Sequence, residues 1–383
     1  MPVSGTVAPG FEAVAAAFEE NLAWRGEAGA SFCAHVGDRV VADLWGGEAR
    51  PGVPWRPDTP VVVFSTTKGA TTLIVAALAE RGVLDLDSPV AAIWPGFAAE
   101  GKGRITVAQI LDHTSGVIDF PGYVPVVADG GWWRDLDRVA ASWETAVPAW
   151  EPGSAHGYHG ASFGHLLGEI VRRATGETLG AAFRRLVADP LGLDVWIGLP
   201  SEHHHRVALL HDPAPPTDPT VAAYTSLFTP ATLTGRAHLA GPDGFAHIGD
   251  TFNDPVLWSA EFPSGGGIAT ARGLAGMYAA VVNERVVSAP TAIRHRSERV
   301  RGMDLVLLYE TRYGLGWQLP TEMTPLGPND EAFGHGGLGG SLAFADPVAG
   351  VAAAYVMNRL VYPVPGETTR AGALVDALYG ALR

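Results

Sequence analysis

The chain has 383 residues, which exceeds the usual size of one compact domain and predicts one large or two interleaved domains. Its formal net charge of -14 argues against nucleic acid and against an anionic membrane surface as partners. Hydrophobic residues make up 47% of the chain, enough for a sizeable core, and the single cysteine, Cys33, excludes an intrachain disulfide. These bounds leave the oligomeric state open.

The first ten residues show no basic segment followed by an apolar run, so they lack the pattern of a secretory signal. The longest apolar runs, such as 351–357, are far shorter than a membrane span. The simplest prediction is a soluble cytoplasmic protein.

The first part of the chain predicts a helix, a β-hairpin and a second helix. Helical periodicity with acidic residues covers 11–24. Two alternating apolar runs, 30–36 and 39–45, are separated by a Gly-Asp pair, which is a hairpin signal. The second helix, 67–81, ends at Gly82 and is apolar nearly all round. We therefore expect it to be buried at the centre of the fold.

Helical patterns dominate the middle of the chain, and strand patterns return at its end. Further helices are predicted at 163–175, 179–187, 272–283 and 368–382. Further strands are predicted at 315–319, 340–346 and 351–357. Strands near both ends predict one sheet built from both ends of the chain, with a helical insertion between them.

Only two lysines occur in the chain, Lys68 and Lys102, against twenty-four arginines. Lys68 lies three residues after Ser65, nearly one helical turn, so the two side chains would share a helix face. Arginine stays protonated at any accessible pH, whereas a buried lysine can lose its proton and act as a base. The alternative, a solvated lysine on an exposed turn, conflicts with the apolar helix around it. The spacing favours an activated serine nucleophile.

Three other segments supply groups that fit a pattern with this pair. Tyr158 lies in a Pro-Gly loop just before a predicted helix. Residues 109–116 close a helix with a tight turn that contains His113, which we interpret as structural. The sequence His335-Gly-Gly places a flexible stretch directly ahead of a strand.

In order and spacing these segments resemble the serine β-lactamase-like family, which includes class C β-lactamases, D-Ala-D-Ala carboxypeptidases and β-lactamase-fold esterases. The resemblance runs from about residue 29 to the C-terminus. Ser65-Thr-Thr-Lys68 resembles the nucleophile motif, and His335-Gly-Gly resembles the third motif, which is Lys-Thr-Gly in the lactamases. The Leu-Asp-His-Thr-Ser-Gly turn and the Pro-Ser-Gly-Gly-Gly-Ile segment around Ser264 are secondary hallmarks.

The resemblance implies a β-lactamase/transpeptidase-like fold of the α/β (α+β) class, with an antiparallel sheet from both chain ends flanked by helices. Residues 1–64 and 260–383 would form the sheet domain, and 65–259 a mostly helical domain. The active site would lie at their interface.

The resemblance also implies catalytic roles at the matching positions. Ser65 would attack the substrate carbonyl and form an acyl-enzyme. Lys68 would take the Ser65 proton. Tyr158 would be a phenolate-like relay to the leaving group, its pKa lowered by cationic neighbours. Which of the two is the base stays open at this stage, since the pair would titrate as a unit.

The substrate would bind along the edge strand that follows His335-Gly-Gly. The backbone N–H groups of Ser65 and Leu338 would form the oxyanion hole. His335 would contact the substrate, and Gly336 and Gly337 would let it approach the strand closely.

Two positions depart from the lactamase pattern. The second motif is Tyr-x-Asn in the lactamases and Tyr158-His159-Gly160 here, so the amide is missing. The third motif has His335 where the lactamases have the lysine that faces the β-lactam carboxylate. The resemblance therefore implies cleavage of a small ester or amide rather than efficient cleavage of β-lactams.

Two alternatives stay open. An acyltransferase would use the same nucleophile and pass the acyl group to an alcohol or amine. A catalytically silent binding module would keep the fold alone, although the complete set of Ser65, Lys68 and Tyr158 speaks against it.

No cofactor and no metal site is predicted, and the expected partner is a small-molecule ester or amide. The tract Glu202-His-His-His205 resembles a metal-binding sequence, but consecutive residues cannot all face one ion. Three histidines, His156, His159 and His165, flank Tyr158 without a specific role.

Overall fold

The computed structural model describes residues 3–364 and 367–383. The strands are β1 (Val3–Val7), β2 (Gly29–Val36), β3 (Arg39–Arg50), β4 (Val53–Pro54), β5 (Val61–Val62), β6 (Val195–Ile197), β7 (Gly267–Ala269), β8 (Val300–Met303), β9 (Glu310–Tyr313), β10 (Phe333–Gly336), β11 (Leu342–Asp346) and β12 (Val351–Met357).

The helices are α1 (Glu12–Ala23), α2 (Thr67–Glu80), α3 (Val107–Leu111), α4 (Tyr123–Ala128), α5 (Leu136–Glu144), α6 (Ser162–Thr175), α7 (Leu179–Phe183), α8 (Asp189–Leu191), α9 (Pro219–Thr225), α10 (Leu233–Ala237), α11 (Ile248–Phe252), α12 (Pro255–Ser259), α13 (Ala271–Val282), α14 (Ala289–Arg296) and α15 (Arg370–Gly380).

The main sheet is antiparallel and takes its strands from both ends of the chain. Its order is β1-β3-β2-β12-β11-β10, and β4 pairs with β3. The predicted hairpin is present as β2 and β3, with Val36 opposite Arg39. β12 lies beside β2, with Tyr355 opposite Phe32. The prediction of one sheet from both chain ends is therefore confirmed.

Helices cover this sheet and bury its centre. α13 packs on β2, β11 and β12, and α1 packs on β1, β3 and α15. Every residue of β12 is buried, which requires cover on both faces of that strand. A second, three-stranded sheet has the order β5-β7-β6. A short turn connects its strand β5 to α2.

α2 is the buried central helix that the sequence predicts at 67–81. Each residue from Thr67 to Leu78 is buried. The chain leaves the helix at Gly82, whose φ of +72° is one that glycine adopts without strain. The polar side chains of α2, Lys68 among them, must therefore find their partners inside the protein.

The strand predicted at 315–319 is wrong, because its apolar residues are buried for another reason. Its backbone is irregular. Gly316 has a φ of +99°, and a Cβ there would lie 2.4 Å from Thr72 Oγ1 on α2. The segment thus lies directly against α2, and Trp317 is buried in the core. Its pairing is limited to isolated bridges of Gln318 with Tyr313 and Gly334.

Two other boundaries differ from the prediction. The strand predicted at 340–346 begins at Leu342, since Gly340 has a φ of +118°. The helix predicted at 179–187 changes after Phe183 into a π-helical segment, Arg184–Ala188.

Among the described residues, none of the helices combines the length and apolar character needed to cross a bilayer. The division of the chain into 1–64 with 260–383 and 65–259 stays a prediction.

Candidate active site

Ser65 lies in a tight turn between β5 and α2. The turn is a 3-10 helix, Phe64–Thr66, and Phe64 has a φ of +44°, which is unfavourable for an aromatic residue. The Thr67 hydroxyl holds the turn: it donates to the Phe64 carbonyl at 2.5 Å and accepts from the Gly267 amide at 2.9 Å. The pairing of β5 with β7 thus fixes the backbone that presents Ser65 to a cavity.

Lys68 is buried one turn after Ser65, and oxygen atoms surround its amine. Nζ donates to the Gly160 carbonyl at 2.9 Å and to the Ser264 carbonyl at 3.0 Å, and it lies 3.4 Å from Ser65 Oγ. Burial lowers the pKa of Lys68 well below its ordinary value, and no carboxylate among the described residues opposes this effect.

These contacts fit a neutral amine. A neutral lysine has two N–H groups and one lone pair. The two carbonyls accept two N–H groups. At the third contact, with Ser65 Oγ, a charged amine would donate its third N–H, and a neutral amine would present its lone pair to the hydroxyl. The arrangement can withdraw a proton from Ser65.

Tyr158 lies over Lys68, with Nζ 4.6 Å from the centre of its ring. Burial raises the pKa of Tyr158, a hydrogen bond with Ser65 lowers it by less, and the Asp304 carboxylate raises it further. The expectation that cationic neighbours lower this pKa is wrong, because burial raises it and no cation among the described residues offsets that effect. The resting side chain is a phenol rather than a phenolate.

His335 is buried on β10 beside Tyr158, with the ring centres 5.9 Å apart. Nδ1 lies 2.6 Å from the Gly336 carbonyl and must therefore carry the hydrogen. Nε2 is then an acceptor, and it is buried without a partner among the described residues. Burial lowers the pKa of His335 to about 3. An uncharged imidazole with a free acceptor thus lines the cavity.

The two glycines after His335 have different surroundings. A Cβ at Gly337 would lie 2.4 Å from the Val63 carbonyl and 2.9 Å from Thr66 Oγ1. A Cβ at Gly336 would meet no described atom closer than 3.9 Å. The small size of Gly337 thus lets the sheet edge approach the nucleophile turn. The expectation that both glycines make room for substrate stays a prediction.

Ser65 and Leu338 line the same cavity, although Leu338 lies on a 3-10 turn after β10 and not on the predicted edge strand. Within residues 3–364 and 367–383, neither N–H donates to a protein acceptor. Two free amide donors beside a nucleophile are what an oxyanion hole requires. Their assignment to that role stays a prediction.

Gly160 occupies the position where the lactamase motif has its amide. A Cβ at Gly160 would lie 2.7 Å from the Ala237 carbonyl and 2.8 Å from His238 Cδ2. The position therefore has no room for an asparagine side chain. Gly160 contributes its carbonyl to Lys68 instead.

The histidines next to Tyr158 make structural contacts. His159 has hydrogen-bonding partners at both ring nitrogens, Ser115 Oγ at 2.6 Å and the Gly157 carbonyl at 2.7 Å. His113 accepts from the His159 amide at 3.1 Å, which ties the turn after α3 to the Tyr158 loop. Both residues thus stabilise the backbone of the loop that carries Tyr158.

The sequence analysis assigned no role to two residues that shape the site. Ser264 Oγ accepts from the Gly164 amide at 2.6 Å and so joins the segment that binds Lys68 to α6. Asp304 is fully buried and accepts from the Tyr158 amide at 3.0 Å. A single acidic residue in the otherwise apolar run 303–309 is the signal that could have found Asp304.

The cavity in front of Ser65 has a volume of about 1720 Å³. Tyr158, His335 and Leu338 line it near the nucleophile. Its more distant walls are largely apolar and include Val124, Val127, Trp133, Phe252 and Phe262. Small-molecule sites usually enclose roughly 300–1,000 Å³, so this cavity has room for more than a short ester.

Within the described residues, one trio of possible metal ligands has ligand atoms within 4.8 Å of one another: Asp212, His247 and Asp250. Asp212 Oδ1 already accepts from the Gly249 amide at 2.6 Å. The tract 202–205 lies elsewhere, on a 3-10 turn.

A profile of the family described as beta-lactamase matches residues 14–377, and the chain therefore belongs to the beta-lactamase family. It is 33% identical to the esterase/beta-lactamase LipL of Mycobacterium tuberculosis over 386 residues, which covers 94% of this chain and 84% of LipL.

Two solved structures match over the whole of both chains. A penicillin-binding protein homolog from Caulobacter crescentus has a TM-score of 0.86 at 38% identity, with 100% of each chain covered. A family VIII carboxylesterase has a TM-score of 0.86 at 36% identity, again with 100% of each chain covered. The β-lactamase/transpeptidase-like fold predicted from the sequence is confirmed.

Proposed function

We propose that this chain is a serine hydrolase that cleaves small carboxylic esters through an acyl-enzyme on Ser65. One observation carries the proposal: the buried Lys68 amine has both N–H groups on carbonyls and lies 3.4 Å from Ser65 Oγ. The names of the relatives support an ester as the substrate, since LipL is called an esterase and one matched structure a carboxylesterase.

In acylation, Ser65 Oγ bonds to the carbonyl carbon of the ester while its proton moves to the Lys68 amine. The carbonyl electron pair moves onto oxygen, which the amides of Ser65 and Leu338 stabilise. The bond to the alcohol then breaks, and the leaving oxygen takes the proton of the Tyr158 hydroxyl. Tyr158 regains a proton from Lys68, so both bases return to their resting forms.

In deacylation, water takes the place of the alcohol. Its proton passes through Tyr158 to Lys68 as its oxygen attacks the acyl carbon. The bond between the acyl carbon and Ser65 Oγ then breaks, Ser65 Oγ recovers a proton, and the carboxylic acid leaves. Hydrolysis thus uses the side chains of Ser65, Lys68 and Tyr158, the two backbone amides and a water molecule.

The surroundings of Ser65 favour uncharged substrates. His335 is neutral, because burial lowers its pKa to about 3, and its free Nε2 can accept a hydrogen bond but cannot pair with a carboxylate. Most of the described residues that line the cavity near the nucleophile are uncharged, Tyr158, His335 and Leu338 among them. We therefore infer a preference for neutral esters over β-lactams, whose carboxylate would stay unpaired.

Mass spectrometry of the intact protein after exposure to an activated ester tests the proposal. We expect one acyl group on Ser65 in the wild type and none in Ser65→Ala. Ser154→Ala, at an exposed serine outside the cavity, is the control and should be labelled like the wild type. Acylation that persists in Ser65→Ala, or a wild type that no ester labels, would refute the proposal and favour a silent binding module.

The size of the cavity favours acyl transfer as a second candidate activity. A volume of about 1720 Å³ leaves room for an acceptor alcohol beside the acyl-enzyme. Products should be quantified with one ester in the presence of a series of alcohols and amines. Formation of the new ester or amide above the rate in buffer supports transfer, whereas hydrolysis alone with every acceptor excludes it.

The cytoplasmic location, and the exclusion of nucleic acid and anionic membranes, are inferred from the sequence alone. Cell fractionation of the native protein checks the location. The cleavage of amides, as opposed to esters, is tested by a matched anilide and phenyl ester of the same acid.

A further inference from the structure

Asp304 is a fully buried carboxylate between β8 and β9. Its Oδ1 accepts from three backbone amides, Tyr158 at 3.0 Å and Val306 and Leu307 at 2.8 Å each. Its Oδ2 accepts from the Thr311 hydroxyl at 3.1 Å. Four donors thus converge on this one side chain.

The contacts to Val306 and Leu307 are local and alone would only shape a turn. The contact to Tyr158 is different, because it joins residues 146 positions apart. The Leu305 amide also donates to the His156 carbonyl at 3.2 Å. The turn after β8 is therefore fastened to the loop that carries Tyr158.

The same turn forms a wall of the cavity. Leu307, Leu308 and Tyr309 line it, and the Val306 carbonyl accepts from the Thr234 hydroxyl at 2.6 Å. Asp304 thus connects the surface that meets the substrate to the backbone of the residue that faces Ser65. Without its Oδ1, three amides would lose their acceptor in a dry interior.

We propose that Asp304 is a positioning residue for proton delivery by Tyr158. It holds the Tyr158 loop and the cavity wall as one unit, so that the phenol stays in line with the leaving oxygen of the substrate. The proposal rests on the proposed function, since it assumes that Tyr158 protonates the leaving group. Asp304 acts only through Tyr158.

The leaving-group dependence of the reaction tests this role. A nitrophenolate leaves without help from an acid, whereas an alkyl alkoxide needs a proton as the bond breaks. We therefore compare kcat/KM for the nitrophenyl and the ethyl ester of the same acid. Tyr158→Phe is the reference and should lose activity mainly on the ethyl ester, by about 10²-fold.

Asp304→Ala should copy this selective loss, with a fall of about 10²-fold on the ethyl ester and less than about tenfold on the nitrophenyl ester. Asp304→Asn keeps an acceptor at Oδ1 and removes the charge, so it should give a smaller change in the same direction, about three- to tenfold. Asp304→Asn also serves if the alanine variant does not fold.

Asp346 provides a matched control in the hairpin between β11 and β12. It is also fully buried, and its Oδ1 accepts from the amides of Val348 at 2.9 Å and Ala349 at 3.1 Å. Its Oδ2 accepts from Asn329 Nδ2 at 2.7 Å. Asp346→Asn should lower the unfolding temperature and leave the ratio of the two esters unchanged.

Each outcome decides the proposal. A selective loss on the ethyl ester in the Asp304 variants, absent in Asp346→Asn, supports it. Equal losses on both esters in the Asp304 variants, with a selective loss in Tyr158→Phe, overturn it and leave the proposed function intact. An unselective Tyr158→Phe overturns the role of Tyr158 and this proposal together, while labelling of Ser65 still tests the nucleophile separately.

Discussion

Both lysines of the chain are fully buried, and two backbone carbonyls hold each of them. Lys102 donates to the carbonyls of Glu144 at 2.9 Å and Ala146 at 2.5 Å. Lys68 donates to the carbonyls of Gly160 and Ser264. Hydrogen bonds to two backbone carbonyls are therefore common to both lysines, and they cannot by themselves make a lysine a base.

The surroundings of the two amines differ. Burial lowers the pKa of Lys102 to about 8, while the nearby carboxylates of Glu100 and Glu144 act in the opposite direction. No carboxylate among the described residues opposes the effect of burial on Lys68. Lys68 also lies 3.4 Å from a hydroxyl that can give up a proton. A catalytic lysine thus needs isolation from acids as well as burial.

Exchange of each lysine for arginine should separate the two regions most strongly. Lys68→Arg should lower kcat/KM by about 10³-fold or more, because arginine cannot become a neutral base. Lys102→Arg should destabilise the fold by about 1–3 kcal/mol through overpacking, with less than about a threefold change in kcat/KM. Kinetics on a short nitrophenyl ester and thermal unfolding check both variants. Near wild-type turnover in Lys68→Arg would remove Lys68 from the mechanism.

A methyl group beside each lysine is a smaller perturbation. In Gly160→Ala the new Cβ would meet the Ala237 carbonyl, which displaces the carbonyl that Lys68 binds. We expect kcat/KM to fall by about 10- to 100-fold. Gly103→Ala is the control next to Lys102, since its Cβ would meet nothing closer than 3.8 Å. Equal activities of the two variants would contradict the importance of the hydrogen bond between Lys68 and the Gly160 carbonyl.

The pH profile should show the isolation of Lys68. The neutral amine is the active form, so kcat/KM should be constant above the lowered pKa of Lys68 and fall about tenfold per pH unit below it. The acid limb should lie well below the ordinary lysine value of 10.5 and be unchanged in Lys102→Arg. An acid limb near 10.5 would mean that Lys68 is charged at rest.

His165 extends the comparison to a buried base that the proposed mechanism does not use. It lies among the rings of Trp132, Trp133, Trp143 and Phe262, and burial lowers its pKa to about 3 from 6.5. Below pH 6.5 the unfolded state binds a proton at His165, whereas the folded state does not until about pH 3. The free energy of unfolding should therefore decrease as the pH is lowered from 6.5 to about 3.

His165→Phe removes that proton site without a large change in volume. The wild type should lose about 2 kcal/mol more than this variant between pH 8 and pH 5. Urea unfolding at the two pH values measures the difference. His205→Phe, on the exposed turn, should keep the pH dependence of the wild type. A loss of stability in His165→Phe equal to that of the wild type would show that His165 contributes nothing to it.

The nucleophile pair could be predicted from the sequence because its geometry is local. Three residues on a helix fix the relation of Ser65 to Lys68, and the apolar pattern around them indicates burial. Four strands of the main sheet, β2, β3, β11 and β12, were predictable for the same reason, since their patterns and turn residues lie within a few positions, whereas β1, β4 and β10 were not predicted. The segment 315–319 misled because a backbone pressed against α2 can show the apolar pattern of a strand.

The rest of the site depends on distant contacts that leave no local signal. The carbonyls of Gly160 and Ser264 belong to the backbone, so no side-chain motif identifies them as partners of Lys68. The direction of the Tyr158 pKa depends on burial and on Asp304, which joins the site only after folding. The need for glycine at position 337 likewise arises only in the folded protein, where the end of β10 lies close to Val63.

The neighbouring positions 336 and 337 have opposite value for enzyme engineering. Gly336 borders the cavity and could carry a side chain, because its Cβ would meet no described atom within 3.9 Å. A library at this position could alter the choice of substrate while the backbone keeps its course. At Gly337 a single methyl group would collide with the nucleophile turn, so that position should tolerate no diversity. A position that should tolerate many side chains and a position that should accept only glycine are thus adjacent in the chain.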